Sequence, residues 1–364
     1  MLSSAVKSDF CHRCLSTSQT LSKHNFQNTT RSFPYVGERR GLGTSVVRVF
    51  SHPQGSAGDD AQSSKRKDNS AVRRMKLPNE WELAYVSEPD VPFLYHEIFI
   101  EECYTQHGVS IGEGSMVVDV GANVGTFAMW AAVRCPEGAI VCIEPIPLIH
   151  AALEANLEWI QQHQTANGLQ SARLKALNIG ISDGSVREAE FTFYTGAAGW
   201  STMFPDDNEV QEAVASYVMD ALPSGRGLEK NPLTWLGQKL AASNNTVANS
   251  IIQTLTRQKV AGMLASQETV LCKIRTISEV IAQEQLQRID LLKVDVERAE
   301  LQVLKGISAA DWPLIRQVVM EVHDIDGRLQ EVTSLLRQNG FSKITTDQPG
   351  SMQGSALWNL FAVR

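Results

Sequence analysis

Apolar residues follow two alternating patterns along the chain. Short continuous apolar runs rich in β-branched residues, such as Met116–Val120 and Ala139–Ile143, predict buried strands. Other segments carry an apolar residue every three to four positions, as at Ile149, Leu153 and Leu157, and these predict amphipathic helices. The alternation of the two kinds of segment predicts an α/β fold, in which a parallel sheet is covered by helices on both faces.

The same patterns predict further elements along the chain. Helices are expected at Phe93–Tyr104, at Thr126–Arg134, through Leu301 and Leu304, and at Leu329–Gln338. Strands are expected at Leu174–Ile181, Ala189–Tyr194, Ile289–Val296, Gln317–Val322, Phe341–Thr345 and Leu357–Val363. Residues 205–268 interrupt the alternation with helical patterns joined by turns rich in Gly, Pro and Asn. They predict a helical insertion that forms a lid or an additional substrate wall.

Charge is distributed unevenly over the 364 residues. Residues 1–58 hold seven basic and two acidic side chains and 15 Ser or Thr, whereas the remaining residues hold 26 basic and 38 acidic side chains. A basic, Ser-rich segment without apolar periodicity predicts an organelle transit peptide, and its length and Ser/Thr content favour a chloroplast over a mitochondrion. The alternative is a disordered tail on a cytoplasmic protein. We expect a linker at 59–76 and one folded domain at 77–364.

Composition also excludes some classes of protein. The acidic body argues against nucleic-acid binding, which needs clustered Lys and Arg. No apolar run approaches the roughly 18 to 20 residues of a membrane-spanning helix. The six Cys are scattered along the chain, which is typical of a reducing compartment.

A glycine-rich turn after the first predicted buried strand indicates a nucleoside site. Gly121 and Gly125 would allow the backbone to approach a ligand, and Glu144, at the end of the next strand, can accept the ribose hydroxyls. Asn123 stands where a dinucleotide fingerprint has its middle glycine. The negative charge of Asp119 suits a cationic amino acid better than a pyrophosphate, so the pattern favours S-adenosylmethionine. The alternative is a purely structural turn with Asp119 facing the core.

Several separated motifs resemble the FkbM family of S-adenosylmethionine-dependent methyltransferases, over about Phe93 to Arg364. They are VVDVGANVGTFA at 117–128, IEP at 143–145, NIGISDG at 178–184, GWSTM at 199–203, DLLKVDVERAELQVLKG at 290–306 and VMEVH at 319–323. The resemblance implies a class I, Rossmann-like fold, with a doubly wound, mostly parallel seven-stranded sheet, and commonly O-methylation of a hydroxyl. The chain looks most similar to members within or beside polyketide and nonribosomal peptide assembly lines, which implies a small-molecule or carrier-bound acceptor. The family usually has Gly where this chain has Arg298.

The resemblance also implies roles for particular positions in binding the cofactor. The methionine end would be lined by four positions of the turn, namely Asp119, Gly121, Asn123 and Gly125. Glu144 would hold the ribose, and Asp183 would accept a hydrogen bond from the adenine amino group. An ordinary turn is the alternative for Asp183.

Methyl transfer requires positioning of the acceptor and a base for the hydroxyl proton. His323 is the expected base because its unperturbed pKa lies near neutrality, with Glu297 or Asp295 as its orienting partner. The alternatives are a structural role for His323, or a divalent metal bound by His323, Asp295, Glu297 and Glu321; we expect a site without metal. Trp200 is expected either to stack on the substrate or to pack in the core.

Two other functions remain open from the sequence alone. The same fold could serve as a nucleoside-binding module without catalysis. It could also belong to a nicotinamide-dependent dehydrogenase, although the missing middle glycine argues against a dinucleotide.

Overall fold

The structure is a computed structural model that describes residues 72–205, 246–348 and 355–364, together with Gln211 and Ala215. The predicted leader, 1–58, and most of the predicted linker lie outside the described residues. Residues at the end of that linker differ from the expectation, because Arg73–Lys76 form a strand paired antiparallel with Glu82–Tyr85. This strand has no apolar alternation, so its pairing partner defines it rather than its own sequence.

The described chain contains twelve strands and seven α-helices. The strands are β1 (Arg73–Lys76), β2 (Glu82–Tyr85), β3 (Met116–Val120), β4 (Ala139–Ile143), β5 (Arg173–Leu177), β6 (Gly180–Ile181), β7 (Glu188–Tyr194), β8 (Gln267–Arg275), β9 (Leu291–Val294), β10 (Gln317–His323), β11 (Lys343–Asp347) and β12 (Leu357–Val363). The α-helices are α1 (Asp90–Tyr95), α2 (Thr126–Ala132), α3 (Pro147–Ala166), α4 (Thr246–Leu264), α5 (Ile277–Gln283), α6 (Glu300–Lys305) and α7 (Arg328–Gln338).

The central sheet has seven strands in the order β11-β12-β10-β9-β3-β4-β5. Neighbouring strands from β10 to β5 are parallel, and only β12 runs antiparallel to its two neighbours. The order reverses at β3, since β4 and β5 extend the sheet to one side and β9 and β10 to the other. Ligands of open α/β sheets bind at such a reversal, beyond the carboxyl ends of the strands. The predicted doubly wound, mostly parallel sheet is confirmed.

Two apolar clusters cover the two faces of this sheet. Val117 and Ile140 belong to one cluster, and their neighbours Val118 and Val141 belong to the other. Consecutive residues of a strand point to opposite faces, so strands that are buried on both sides consist of continuous apolar runs. This packing explains why continuous apolar runs in the sequence predict the central strands.

The run predicted as a single strand at Leu174–Ile181 is divided between two sheets. It ends as β5 at Leu177 and resumes as β6, which pairs with β8 in a three-stranded sheet of order β6-β8-β7. Asn178 accounts for the break, because its side-chain amide donates to the carbonyls of Glu144 and Pro145, at 3.0 and 2.9 Å. The apolar pattern continues across this bend, so periodicity alone does not reveal it.

Other boundaries also differ from the predictions. The helix predicted at Phe93–Tyr104 is α1, which begins at Asp90 and continues in a π-helical turn, His96–Ile100. Strand β8 and helix α5 were not predicted. Most of β8 is exposed or half-exposed, so it lacks the apolar run of a buried strand.

Helix α4 lies within the predicted insertion, 205–268. Its buried side includes Ile252, Thr256, Val260 and Leu264, which are spaced four residues apart. Val260 and Leu264 pack with Tyr194 and Ala197 from the three-stranded sheet and its following turn. The remaining residues between 205 and 246, apart from Gln211 and Ala215, lie outside the described residues. Among the helices that the structure describes, none has the length and apolar character to cross a membrane.

Gly121 provides a test of how closely the loops at the strand ends pack. It has a φ of 77°, and a Cβ atom there would lie 1.6 Å from the backbone oxygen of Asp295. We expect Gly121→Ala to lower the free energy of unfolding by about 2–4 kcal/mol, because it adds both backbone strain and a collision with rigid backbone. Denaturant titration measures this change.

Gly262→Ala is the matched control, since Gly262 lies in α4 and a Cβ added there would meet no other atom within 4 Å. A helical Ala there is expected to raise the stability by about 0.5–1 kcal/mol. Equal stability of Gly121→Ala and the wild type would contradict the described packing.

Candidate active site

A pocket opens beyond the carboxyl ends of β3, β4, β9 and β10. Its wall includes Gly121 and Asn123 after β3, Glu144 after β4, Asp295 after β9, and Glu321 of β10. This is the position at which the strand order reverses. Of the nine predicted site residues, five line this pocket, namely Gly121, Asn123, Glu144, Asp295 and Glu297, whereas Asp119, Gly125, Asp183 and His323 do not.

The turn after β3 is held in an unusual backbone conformation. Gly121, Asn123 and Gly125 all have positive φ values, of 77°, 50° and 85°. Asn tolerates this region better than most residues with a side chain, and the Asn123 side-chain oxygen accepts a hydrogen bond from the Val124 amide at 2.7 Å. A Cβ at Gly125 would lie 2.6 Å from the Leu153 side chain. The two glycines thus permit close packing within the protein, rather than only the approach of a ligand.

Glu144 is fixed by backbone amides at the end of β4. One carboxylate oxygen accepts from the Ile146 amide at 2.9 Å, and the other accepts from the Asn123 amide at 3.2 Å. These contacts join the ends of two strands and leave the carboxylate on the pocket wall. Burial raises the pKa of Glu144 to about 7, although the two backbone hydrogen bonds oppose the shift.

Asp119 lies below the pocket instead of lining it. Its side chain is fully buried, and one carboxylate oxygen lies 3.0 Å from the ammonium of Lys293. Lys293 also lies 3.4 Å from both Asp295 and the Gly121 carbonyl oxygen. Burial lowers the pKa of Lys293, but Asp119 and Asp295 outweigh this effect and raise it. Asp119 is therefore paired with this buried cation and does not line the pocket.

Three carboxylates converge on one side of the pocket. Asp295, Glu297 and Glu321 each place an oxygen within 4.8 Å of the others. Burial raises the pKa of Glu321 well above its ordinary value, and the charges of Asp295 and Glu297 add to the shift. Such spacing occurs in cation sites, but like charges alone do not define one, and we assign no metal to the cluster.

Asp295 is anchored from below by two donors. The Tyr104 hydroxyl donates to its Oδ2 atom at 3.0 Å, and the Lys293 ammonium lies 3.4 Å from the same atom. The ammonium lies 4.7 Å from the centre of the Tyr104 ring, within cation–π range. Both donors contact the same oxygen of the carboxylate, Oδ2.

His323 lies behind the pocket wall, between two glutamates. Its Nε2 atom is 3.3 Å from Glu297, and its Nδ1 atom is 2.9 Å from Glu300. Burial lowers the pKa of His323, but its hydrogen bonds to the two glutamates outweigh burial and raise the pKa to about 10. At neutral pH the ring is therefore an imidazolium with no lone pair for a substrate proton. Glu300, three residues after Glu297, is fully buried.

Asp183 lies in an exposed turn. Its carboxylate accepts a hydrogen bond from the Ser185 amide at 2.9 Å, and it does not line the pocket. This contact is typical of an Asx turn. The geometry favours the alternative that the sequence left open, a turn residue, over contact with adenine.

The opposite side of the pocket is mostly apolar. It includes Trp200, in a short 3₁₀ turn, and a group of side chains from α1, the following loops and α4, namely Phe93, Leu94, Met203 and Met263. Met263 shows that the predicted insertion contributes to the pocket wall. The pocket wall also includes residues outside the motifs read from the sequence, which only the tertiary fold brings to the pocket, among them Asp90, Glu97, Tyr104 and Met263.

The residues present fit S-adenosylmethionine. Glu144 provides a fixed carboxylate for ribose hydroxyls, and isoleucines 143, 146, 179 and 181 provide apolar surface for a purine. The carboxylates on the other strands provide negative charge for the sulfonium and ammonium groups. Fold and pocket together define the class as a Rossmann-like methyltransferase that uses S-adenosylmethionine.

Comparison with known proteins specifies the family. Residues 119–343 match the methyltransferase FkbM domain. The chain is 33% identical over 278 residues to the 31-O-demethyl-FK506 methyltransferase FkbM of Streptomyces tacrolimicus, and the match covers 76% of this chain and 92% of that one. It is 31% identical over 295 residues to the AMB antimetabolite synthetase AmbE of Pseudomonas aeruginosa, covering 79% of this chain and 12% of AmbE. Methyltransferase sdnD of Sordaria araneosa is 28% identical over 273 residues, covering 72% of this chain and 86% of that one.

The chain belongs to the FkbM family of S-adenosylmethionine-dependent methyltransferases. The predictions of fold, enzyme class and cofactor are confirmed. Membership of this family explains the glycine-rich turn and Glu144. The two alternatives, a nucleoside-binding module without catalysis and a nicotinamide-dependent dehydrogenase, are therefore set aside.

Glu144 generates a prediction about cofactor binding. Below a pH of about 7 the free protein must lose a proton from Glu144 before the carboxylate can accept the ribose hydroxyls. We therefore expect calorimetry to show tighter S-adenosylmethionine binding as the pH rises through about 7. Glu144→Gln should weaken binding by about 10- to 100-fold at pH 8 and reduce this pH dependence.

Glu154→Gln, an exposed carboxylate on α3, is the control and should leave both quantities unchanged. If Glu144→Gln bound the cofactor as tightly as the wild type, Glu144 would not be the ribose ligand.

Proposed function

We propose that this enzyme transfers the methyl group of S-adenosylmethionine to the hydroxyl oxygen of a neutral, largely apolar small molecule or carrier-bound metabolite. The charge of the pocket is the main support. Six carboxylates line it, from Asp90, Glu97, Glu144, Asp295, Glu297 and Glu321, and its described wall contains no Lys, Arg or His. Such a wall attracts a sulfonium and repels an anionic acceptor.

The apolar side of the pocket supports the second part of the proposal. Phe93, Trp200, Met203 and Met263 offer a broad surface for the body of an acceptor. The related FkbM protein is named for methylation of demethyl-FK506 at an oxygen, and AmbE is named as an antimetabolite synthetase. These names support an oxygen acceptor and a metabolite attached to an assembly line, respectively.

We place the general base at Asp295 instead of the expected His323. The hydroxyl proton must move to a group with an available lone pair that faces the pocket. Asp295 lines the pocket, and its two described donors contact Oδ2 alone. His323 lies behind Glu297, and both of its ring nitrogens face carboxylates. Asp295 was among the predicted catalytic residues, as was Glu297, which also lines the pocket.

When bound, the cofactor supplies an activated methyl group. The chain's own residues then bind the acceptor against the apolar wall, exclude water and hold the hydroxyl near the base. Tyr104 and Lys293 hold the Asp295 carboxylate through its Oδ2 atom, and the hydroxyl proton passes to the other oxygen.

Asp295→Asn tests this assignment. The acceptor is first identified by incubating the enzyme with methyl-labelled S-adenosylmethionine and a metabolite extract, followed by mass spectrometry of the labelled product. We expect Asp295→Asn to lower kcat by about 100- to 10,000-fold while cofactor binding changes much less, because the amide cannot take up the proton.

Glu113→Gln, an exposed carboxylate in the turn before β3, is the control and should turn over like the wild type. A label found on nitrogen or on a carboxylate would contradict the proposed acceptor. Undiminished turnover of Asp295→Asn would remove that residue from the mechanism.

A further inference from the structure

The loop after β9 is held in a costly backbone conformation. Glu297 and Arg298 have φ values of 49° and 81°, a region that residues with side chains rarely adopt. Such a conformation is unfavourable for residues with side chains, so the surrounding contacts must stabilise the loop. The conformation matters because it sets the position of Glu297, which lines the pocket.

Glu300, at the start of α6, stabilises this loop from the inside. Its Oε1 atom accepts a hydrogen bond from the Arg298 amide at 2.6 Å, and its Oε2 atom lies 3.3 Å from the Arg328 guanidinium. Arg328 also donates to the Arg298 carbonyl oxygen at 3.0 Å. Glu300 is fully buried, and a buried carboxylate is tolerated only when it is paired and hydrogen-bonded in this way.

His323 connects this buried carboxylate to the one in the pocket. Its two ring nitrogens contact Glu300 and Glu297 on opposite sides, and its side chain is 8% exposed. Both nitrogens can donate to carboxylates at once only when both carry a proton. We call Glu300, His323 and Glu297 the glutamate–histidine triad. The triad thus has a cation at its centre.

The charged groups around the glutamate–histidine triad explain why a cation is needed at its centre. Asp295 and Glu321 face Glu297 from neighbouring strand ends, and Arg328 faces Glu300 from α7. Burial raises the pKa of Glu297 above its ordinary value. The hydrogen bond and charge of His323 oppose this shift, and the charges of Asp295 and Glu300 add to it. Without His323, the crowded carboxylates would favour a protonated Glu297.

We propose that His323 is a positioning residue: it remains doubly protonated between Glu300 and Glu297 and holds the Glu297 carboxylate, ionised and in a fixed orientation, on the wall of the methyl-transfer pocket. The inference of a role in turnover depends on the proposed function, whereas the protonation of His323 does not. In this arrangement His323 orients the glutamate, which reverses the roles expected from the sequence. Glu297 then orients the acceptor hydroxyl beside Asp295.

The first test measures protonation and needs no acceptor. Nuclear magnetic resonance of the ¹⁵N-histidine-labelled protein should show one histidine with both ring nitrogens protonated at pH 8, and the midpoint of its titration should lie near pH 10. Glu297→Gln should shift the titration of this histidine to lower pH, because one anionic partner is lost; this change also assigns the signal. If every histidine signal in the wild type were that of a neutral ring at pH 8, the proposal would be overturned.

The second test measures turnover of the acceptor identified with labelled cofactor. His323→Gln is expected to lower kcat by about 100-fold, with little change in the Kd of S-adenosylmethionine, because a misplaced Glu297 affects the reacting geometry. As the pH is lowered, the kcat of His323→Gln should begin to fall at a higher pH than the kcat of the wild type. The reason is that Glu297 is more easily protonated when the imidazolium is absent. An unchanged kcat and pH profile would overturn the positioning role.

His107→Gln is the matched control. His107 lies 3.4 Å from a single half-exposed carboxylate, Asp347, and does not line the pocket. This variant should retain the wild-type kcat and pH profile. A protein that shows the protonated histidine but methylates no acceptor would contradict the proposed function alone, since the two measurements are independent.

Discussion

The site depends on the buried ammonium of Lys293. This cation lies between Asp119 of β3 and Asp295 after β9, and it also approaches the Gly121 carbonyl oxygen. A charge in that position is costly unless its partners offset the loss of water, and two carboxylates together with the Tyr104 ring do so. The cation thereby ties the glycine-rich turn to the strand that carries the proposed base. The Lys293 side chain therefore connects the turn that would hold the cofactor with the carboxylate that would take the acceptor proton.

The remaining carboxylates show how the fold accommodates several like charges in a small space. Lys293 balances Asp119 and Asp295 on one side, and the imidazolium of His323 balances Glu297 and Glu300 on the other. Glu321 has neither cation as a direct partner, and burial together with its acidic neighbours raises its pKa most clearly. Burial raises the pKa of Asp119 and Glu297 as well, but in these two residues the neighbouring cation opposes the shift.

Local sequence was sufficient to predict the part of the site formed by consecutive elements. The β3 turn, α2 and the Glu144 carboxylate follow one another closely along the chain, and the backbone geometry of a βαβ unit fixes their relation. Asp183 shows the limit of that argument. It follows a predicted strand in the expected order, but the chain bends at Asn178 and leaves Asp183 in an exposed turn. Apolar periodicity continues through the bend, so it could not reveal the change of sheet.

The sequence by itself determined the sheet, the nucleoside half of the pocket and the family, because apolar runs, turn glycines and separated motifs are properties of the chain read in order. Only the tertiary structure decided the chemical roles of the acidic residues and His323. Those roles depend on which charges become neighbours after folding: Glu300 and His323 are 23 positions apart, and Tyr104 and Asp295 are 191 positions apart. Burial strengthens each of these interactions, so the pairing partner, rather than the residue type, decides whether His323 is a base or a fixed cation.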